Sequence, residues 1–282
     1  MIQISRLSFS YSRQPFIENM SFSVSEGEIF GFLGPSGAGK STLQKILTGQ
    51  LAGYGGTVRV LGREVNAHGR DFYERIGIDF EFPTLYEKLT GRQNLEFFGS
   101  LYAPPLRDIG QLLAGVELTH DADKKVAQYS RGMKSRLGFL RALINDPDIL
   151  FLDEPTSGLD PANAHLMKQM ILDEKARGKT VILTTHNMQD AQQLCDRVAF
   201  IVNGSIVALD TPHDLILQRG AASLRYTWRE DGAEKSGECR LDRTGEDAQL
   251  QKLIAGGQLL TVHSAEPNLG DIFMEVTGRE LQ

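Results

Sequence analysis

The chain has 282 residues, of which 41% are hydrophobic and 23% charged, a composition typical of folded globular proteins rather than disordered ones. Its net charge of −6 argues against general binding of nucleic acid through phosphate attraction. Two cysteines, Cys195 and Cys239, lie far apart and do not make a disulfide framework or a metal site. We expect no secretory leader, and no apolar run approaches the ~18 residues that span a bilayer, so any spanning part would belong to another chain.

The first 33 residues predict short strands. Met20 to Val24 alternates apolar and polar residues, as a half-buried strand does, and Glu28 to Leu33 contains the apolar run of a buried strand. Tyr11, upstream of both, has two interpretations. It is either a core aromatic of a strand, which the residue type favours, or a flat surface on which a nucleotide base stacks.

Residues 34–42 match the phosphate-loop pattern G-x-x-x-x-G-K-[ST] at every fixed position. A buried strand precedes them and a predicted helix, Lys40 to Thr48, follows. Glycines let several backbone N–H groups point inward, and a helix N-terminus adds partial positive charge, so the segment predicts an anion site. We expect Lys40 to reach the outer phosphates of a nucleotide and the Ser41 hydroxyl to hold Mg²⁺. The predicted nucleotide-binding residues of this loop are Gly34, Pro35, Ser36, Gly37, Ala38, Gly39, Lys40, Ser41 and Thr42.

The stretch from Phe80 to Tyr86 is dense in aromatic residues and follows a predicted buried strand, Ile76–Asp79. Pro83 disfavours regular structure at this point. The aromatics therefore have two interpretations. They are either core beneath a loop, which the residue types favour, or an apolar patch for a partner.

Residues 85–145 predict helices at Thr90–Tyr102, at Leu106–Leu118 and after the polar turn Ser130–Met133. They interrupt an alternation of strands and helices that predicts a mostly parallel, doubly wound sheet. Residues 221–282 change to short strands and helices without a chemical motif. The predicted fold class is α/β: a phosphate-loop NTPase core with an antiparallel β subdomain and an inserted helical subdomain in residues 1–220, then a small α+β appendix in residues 221–282.

Two later strands end in polar residues that suit the chemistry of a phosphate site. The buried strand Asp148–Leu152 runs into Asp153 and Glu154. We expect Asp153 to bind Mg²⁺ and Glu154 to activate the attacking water. His186 ends the strand after Thr180, where strand ends collect at a ligand crevice and a neutral imidazole can hydrogen-bond the γ-phosphate. Adjacent carboxylates and single histidines are common polar residues elsewhere, so both assignments depend on the phosphate loop upstream.

These motifs, in this order, resemble the ATP-binding cassette family, the nucleotide-binding subunits of ABC transporters. The resemblance covers residues 1 to about 220 and implies ATP hydrolysis with ATP and Mg²⁺ as cofactors. It implies that Glu154 and His186 are catalytic and that Tyr11 stacks on adenine. The motifs that carry it are Gly34–Ser41, Tyr129–Arg136, Asp153–Asp160 and Thr185-His186.

The resemblance also implies a second cassette that completes the site. Ser130 and Gly132 match the family's serine–glycine signature, which binds the γ-phosphate of ATP held by the opposite subunit. Asp160 ends a loop, Ser157 to Asp160, that lies across the dimer interface in the family.

Two positions depart from the family pattern. Arg131 stands where the first of two signature glycines is usual, and we expect little harm because Gly132 remains for close approach. Glu81 aligns with a glutamine whose side-chain oxygen helps bind Mg²⁺. We expect Glu81 to keep the metal role, because a carboxylate can ligate Mg²⁺ although it cannot donate a hydrogen bond when ionised.

The whole pattern is most similar to separately encoded ATPase subunits of bacterial exporters. It implies a motor that lies at the cytoplasmic face of the membrane and docks on an integral membrane subunit near Phe80–Leu101. The motor would close head to tail on ATP with a second cassette, for which a homodimer is favoured over a heterodimer. No nucleic-acid partner is expected, since the chain has one cassette, no sustained heptads and acidic charge. The alternatives are a soluble cassette ATPase without a transport role and a regulatory cassette that binds ATP without turnover. Glu154 and His186 argue against the regulatory cassette, while Glu81 and Arg131 keep it open.

Overall fold

The computed structural model describes residues 1–12, 14–81, 84–103, 105–219, 223–230, 232–265 and 267–278. Phe82 and Pro83 of the aromatic stretch, and the predicted boundary at residues 220 and 221, lie outside the described residues. The described chain forms two compact units, residues 1–209 and 210–280. The first unit contains two sheets and the second contains one, and each unit has its own packed apolar side chains.

The first unit begins with an antiparallel sheet of four strands in the order β2-β1-β4-β5. Alternate residues of β1 and β2 point inward, so Ile2, Ile4 and Val24 are buried while their neighbours are exposed. This alternation confirms the predicted antiparallel β subdomain. The strands of this sheet are β1 (Ile2–Phe9), β2 (Ile17–Val24), β4 (Gly55–Val60) and β5 (Arg63–Glu64).

A second sheet of six strands, in the order β10-β9-β3-β8-β7-β6, forms the centre of the first unit. The pairs β9/β3, β3/β8, β8/β7 and β7/β6 are parallel. Strands β3 and β8 are buried along their whole length, which explains their continuous apolar or threonine-rich runs. The strands are β3 (Ile29–Leu33), β6 (Ile76–Asp79), β7 (Ile149–Asp153), β8 (Thr180–Thr185), β9 (Arg197–Val202) and β10 (Ser205–Asp210).

The carboxyl ends of the parallel strands meet at one edge of this sheet. Leu33 of β3 is opposite Thr185 of β8, and Thr184 is opposite Asp153 of β7. The phosphate loop follows β3 directly, Asp153 ends β7 with Glu154 next in the chain, and His186 follows β8. The parallel register therefore brings three separate sequence motifs to the same place.

Ten α-helices and four short 3-10 helices complete the described chain. The helical subdomain consists of α3, α4 and α5, and Thr90 begins it with a capping box in which its hydroxyl accepts from the backbone of Gln93. The predicted helix Leu106–Leu118 is shorter, because the Asp108 side chain caps a helix that ends at Gly115. The helices are α1 (Lys40–Leu47), α2 (Arg70–Tyr73), α3 (Gly91–Gly99), α4 (Ile109–Gly115), α5 (Arg131–Leu143), α6 (Pro161–Ala176), α7 (Met188–Leu194), α8 (Pro212–Arg219), α9 (Ala248–Ala255) and α10 (Leu269–Thr277).

The second unit is a small α+β structure built on a three-stranded antiparallel sheet in the order β12-β11-β13. Tyr226, Leu250 and Leu253 form its packed cluster between the sheet and α9. Helix α8 contacts α10, and for this reason the compact unit starts at residue 210, about one helix before the predicted domain boundary at 220. The strands are β11 (Ser223–Glu230), β12 (Ala233–Arg240) and β13 (Leu259–Ala265).

Within the described ranges, no helix combines the length and the apolar character needed to cross a membrane.

Candidate active site

The phosphate loop joins β3 to α1, and close packing fixes its shape. A Cβ atom at Gly34 would lie 2.2 Å from the carbonyl oxygen of Ile201 on β9, so only glycine fits there. Gly39 caps α1 with φ at 111°, in the left-handed region that other residues rarely adopt. The loop thus turns sharply into a helix start, where unpaired N–H groups and the helix dipole favour an anion.

Lys40 is buried at the first position of α1. Its Nζ donates to the carbonyl oxygens of Gly34 at 2.5 Å and Pro35 at 3.2 Å. Burial lowers the pKa of the Lys40 ammonium below its ordinary value, while the nearby carboxylates of Glu154 and Asp153 act in the opposite direction. Loop carbonyls therefore hold the ammonium in place, and the acidic residues at the end of β7 favour its charged form.

One cleft contains most of the predicted site residues. It brings the phosphate loop together with the carboxylates and the histidine that follow β6, β7 and β8, although these lie far apart in sequence. Phe16 also lines the cleft, although the sequence does not predict it as a site residue. Its aromatic type is the only signal that the sequence offers. The lining residues are Phe16, Ser36, Gly37, Ala38, Gly39, Lys40, Ser41, Thr42, Glu81, Asp153, Glu154 and His186.

The three predicted metal ligands, Ser41, Glu81 and Asp153, all line this cleft. Asp153 ends β7, and its Oδ1 accepts from the hydroxyl of Thr184 on the adjacent strand. Among the described residues, no group of three His, Cys, Asp or Glu side chains is arranged to hold a metal by itself. A hydroxyl with one or two carboxylates suits Mg²⁺, which binds few protein oxygens and completes its shell with water and phosphates. The donor set therefore fits this ion.

Glu154 has an unusual backbone and is firmly held. Its φ of 51° lies in the left-handed region, which costs a non-glycine residue on the order of 1 kcal/mol or more. The Glu154 N–H donates to Thr184 O at 3.0 Å, and the side chain is only 12% exposed. Its Oε1 lies 2.9 Å from Nδ1 of His186, a ring that is half exposed. The two predicted catalytic residues are thus in direct contact.

Tyr11 is 60% exposed, so the interpretation of this residue as core is wrong. Its hydroxyl lies 3.0 Å from the Thr42 hydroxyl of α1, and its ring meets Phe9 and Phe16 edge to face. These contacts tie the ring to the phosphate-loop helix and leave a face in solvent. A base-stacking role, which needs a fixed and accessible ring, is compatible with this placement.

The signature residues lie outside the cleft of their own chain. Ser130 caps α5, and its hydroxyl accepts from the Met133 N–H at 3.2 Å. At Gly132 a Cβ would lie 3.0 Å from Cγ of Asn163, so the signature turn packs against the first turn of α6. Neither Ser130 nor Gly132 lines the phosphate-loop cleft.

Asp160 caps α6, and its Oδ1 accepts the backbone N–H groups of Ala162 and Asn163 at 3.1 and 3.0 Å. Hydrogen bonds from the backbone and side chain of Asn163 hold the pKa of Asp160 below its ordinary value. Its role inside one chain is therefore structural.

The described aromatic residues near Phe80 are not core, contrary to the interpretation that residue type favoured. Phe80, Tyr86, Phe97 and Leu101 are each exposed by 39% or more, and we call these four the aromatic patch. The Tyr86 ring packs edge-on against Phe97 at 4.9 Å between ring centroids. Tyr86, which precedes α3, and Phe97 of α3 thus meet on the surface of the helical subdomain.

Asp79 is a buried carboxyl that the sequence reasoning treated only as part of a strand. Its Oδ1 has no hydrogen-bond partner, and burial raises its pKa to about 7, with Asp153 adding to the rise and Arg141 opposing it. In the sequence, the signal for such a buried carboxyl is an aspartate at the end of an otherwise apolar strand. Asp79 lines a second pocket, which shares Glu81, Asp153 and Glu154 with the cleft.

A phosphate loop after one parallel strand, carboxylates after a second and a histidine after a third define a phosphate-loop ATPase with an inserted helical subdomain. The sequence model of the ABC transporter family matches residues 17–157, and the chain belongs to this family. It binds ATP and is the ATP-hydrolysing motor subunit of an ABC transporter. The predicted family, fold class and ATPase activity are confirmed.

Relatives that match the whole chain include two export ATP-binding proteins. The fluoroquinolones export ATP-binding protein of Mycobacterium tuberculosis is 50% identical, with 100% of this chain and 94% of the relative covered. The Nod factor export ATP-binding protein I of Sinorhizobium fredii is 37% identical, with 100% and 87% covered. Among solved structures, cbiO1 of Clostridium perfringens, part of the ABC transporter complex cbiONQ, is 25% identical with a TM-score of 0.70, covering 77% of this chain and 91% of that one.

Proposed function

We propose that this chain drives the export of a drug-sized organic molecule through a separate integral membrane subunit, to which it binds at the cytoplasmic face. The observation that carries the motor role is the single cleft that holds the phosphate loop, Asp153, Glu154 and His186. The names of the two full-length relatives support export, and the one with the higher identity supports an antibiotic-like substrate. The solved cassette that is part of a transporter complex supports a separate membrane partner.

Hydrolysis would proceed by attack of water on the γ-phosphorus of ATP. Glu154 takes a proton from the water as its oxygen bonds to phosphorus, and the bond from phosphorus to the bridging oxygen of ADP breaks. Lys40 and the loop N–H groups stabilise charge on the phosphate oxygens. Mg²⁺, held by Ser41, Asp153 and Glu81, would neutralise further charge on the same phosphates.

His186 contacts the proposed base Glu154 and lines the cleft in which the phosphate would lie. A neutral imidazole has one N–H, and the 2.9 Å contact places Nδ1 against the Glu154 carboxylate. The other ring nitrogen can then only accept. Donation to the γ-phosphate requires either a doubly protonated ring or release of Glu154, so the neutral ring expected from the sequence cannot serve both partners at once.

Closure of two copies would complete the site. Ser130 and Gly132 lie at a helix start outside their own chain's cleft, and we infer that they bind the γ-phosphate of ATP held by a second copy. One ATP then contacts both halves, so binding closes a homodimer. Loss of the γ-phosphate removes that bridge, and the dimer opens.

The aromatic patch would receive the membrane subunit. Its four side chains are apolar and exposed to water, Tyr86 contacts Phe97, and Phe80 precedes Glu81 of the cleft in the chain. We expect Tyr86→Ala to abolish stimulation of ATPase activity by the membrane subunit while basal turnover stays within about twofold. Tyr73→Ala, which truncates an exposed tyrosine outside the patch, is the matched control. Equal stimulation of both variants would contradict docking at the patch.

The test of the motor role is the mass in solution of Glu154→Gln with ATP and with ADP. A dimer with ATP alone is the expected result, because the variant binds but cannot activate water. A monomer in both nucleotides, with ATP still bound, would contradict the homodimer and place the second signature on another chain.

A further inference from the structure

Arg131, the departure from the family signature, reaches the loop Ser157–Asp160 of its own chain. Its Nη2 donates to the Ser157 carbonyl oxygen at 3.2 Å. A Cβ at Gly158 would lie 2.3 Å from the guanidinium Cζ, so the guanidinium lies directly against the Cα of Gly158. At this residue φ is +65°, a backbone conformation that also favours glycine. Glycine is therefore required at residue 158 for two reasons, the left-handed backbone and the close approach of the Arg131 guanidinium.

Helix stability does not account for a cation at this position. Arg131 is the first residue of α5, where the positive end of the helix dipole disfavours a positive side chain. The side chain is exposed and has no carboxylate partner among the ion pairs of the described residues. A planar guanidinium can lie flat on a peptide while it donates to the peptide's carbonyl oxygen, whereas the ammonium of lysine can donate to a carbonyl but has no flat face to lie on the peptide. The contact with the loop is thus the feature that this arginine provides.

We propose that Arg131 is a positioning residue that fixes the loop Ser157–Asp160 against the signature turn. The proposal rests on the proposed function, in which both elements face the second copy. Gly132 supplies a second contact between the same two elements through Asn163, whose Nδ2 donates to Asp160 at 2.5 Å. Signature turn and loop then move as one body when the dimer closes.

The loop also reaches back to the base. The Ser157 N–H donates to the Glu154 carbonyl oxygen at 3.0 Å, and Arg131 lines a pocket together with Glu154 and Ser157. A loosened loop would therefore disturb the orientation of Glu154 without touching the phosphate loop. This predicts a loss in kcat with little change in KM for ATP.

The first test uses amide hydrogen exchange on the ATP-free full chain. Arg131→Met keeps the side-chain length and removes the donors, and we expect exchange at the Ser157 and Leu159 amides to rise about threefold to tenfold. In Arg131→Met the ATP affinity of the monomer should stay within about twofold of the parent value. Its kcat should fall while its KM for ATP stays unchanged. The amide exchange rates and the kcat of Arg131→Lys should lie between those of the parent protein and those of Arg131→Met. Lys134→Met is the matched control, since Lys134 lines the same pocket, pairs with Glu87 at 2.7 Å and does not touch the loop.

A double-mutant cycle separates the contact from a general loss of stability. In the parent protein the new Cβ of Gly158→Ala collides with the Arg131 guanidinium, whereas in Arg131→Gly only the backbone strain at residue 158 remains. We expect Gly158→Ala to lower kcat by a larger factor in the parent than in Arg131→Gly. Equal factors would overturn the proposal.

A second result would also overturn it. If Arg131→Met left exchange at residues 157–159 unchanged but abolished the ATP dimer of Glu154→Gln, the side chain would act on the partner or its nucleotide instead. Failure of the proposed function appears separately, as a Glu154→Gln protein with intact Arg131 that does not dimerise with ATP. The exchange experiment needs neither ATP nor dimer, so the two failures remain distinguishable.

Discussion

In the proposed mechanism the chain carries two halves of a site, and they differ in how they are built. The strand-end half, with Asp153 and Glu154, stands on buried parallel strands and is held by contacts to the neighbouring strand. The helix-start half, with Ser130 and Asp160, consists of exposed caps on the first turns of α5 and α6. A buried frame fixes atoms for chemistry, whereas exposed caps can meet a second molecule. Substitutions in the first half should therefore alter turnover, and substitutions in the second should alter assembly.

The largest expected effect is that of Glu154→Gln on the strand-end half. Loss of the general base should lower kcat about 100-fold or more, while ATP affinity stays within about twofold because the phosphate loop is unchanged. Phosphate release and nucleotide titration measure the two quantities. His186→Gln is the companion, expected to fall between the parent protein and Glu154→Gln. If Glu154→Gln turned over ATP at a rate close to that of the parent protein, the strand-end half would not be the catalytic one.

The second effect is a pH dependence of stability that originates at Asp79. The unfolded carboxyl ionises near its ordinary 3.8, whereas burial raises the folded pKa to about 7, so the folded state binds more protons between these values. The free energy of unfolding should therefore fall as the pH rises from about 4 to about 7. Asp79→Asn should remove this slope and gain about 1–3 kcal/mol over the parent at pH 8. Urea unfolding at pH 5 and pH 8 measures the free energy of unfolding of both proteins. The same change in this free energy between the two pH values in the parent and in Asp79→Asn would contradict the prediction.

The third effect distinguishes capping from assembly in the helix-start half. Ser130→Ala removes the cap of α5 and should cost about 1 kcal/mol of stability, while Ser130→Asp keeps a capping oxygen and should cost less. Both should prevent the ATP dimer in the Glu154→Gln background, since alanine lacks the hydroxyl and aspartate repels phosphate. Thermal unfolding and solution mass report the two properties. A dimer in Ser130→Asp would show that the hydroxyl does not meet a nucleotide.

The parts of this molecule that sequence could predict are local. The phosphate loop, the acidic strand end and the cap at Ser130 each consist of neighbouring residues whose types state their chemistry. The parallel sheet then follows from repeated strand–helix units, and it places the three strand ends together without further information. The family, the fold class and ATP hydrolysis are accordingly confirmed, while the individual roles of the site residues stay predictions.

The remaining features depend on contacts between distant residues. Phe16 lines the cleft and Tyr11 is exposed because of how the first strands turn beside α1, which residue type does not encode. The left-handed backbone of Glu154 has no sequence marker, since glutamate is not a residue that favours it. The contact of Arg131 with Gly158 joins residues in different motifs. Each motif was visible in the sequence, but their spatial pairing was not.

The carbonyl of Ile201 behind Gly34 bears on how such motifs change over evolution. A chain that no longer needed a nucleotide could replace Lys40 and lose only its hydrogen bonds to the carbonyls of Gly34 and Pro35. It could not replace Gly34, since even one methyl group would collide with the adjacent strand. The first glycine of the loop would outlast the activity, so in a diverged descendant its presence would report an intact sheet rather than a working enzyme.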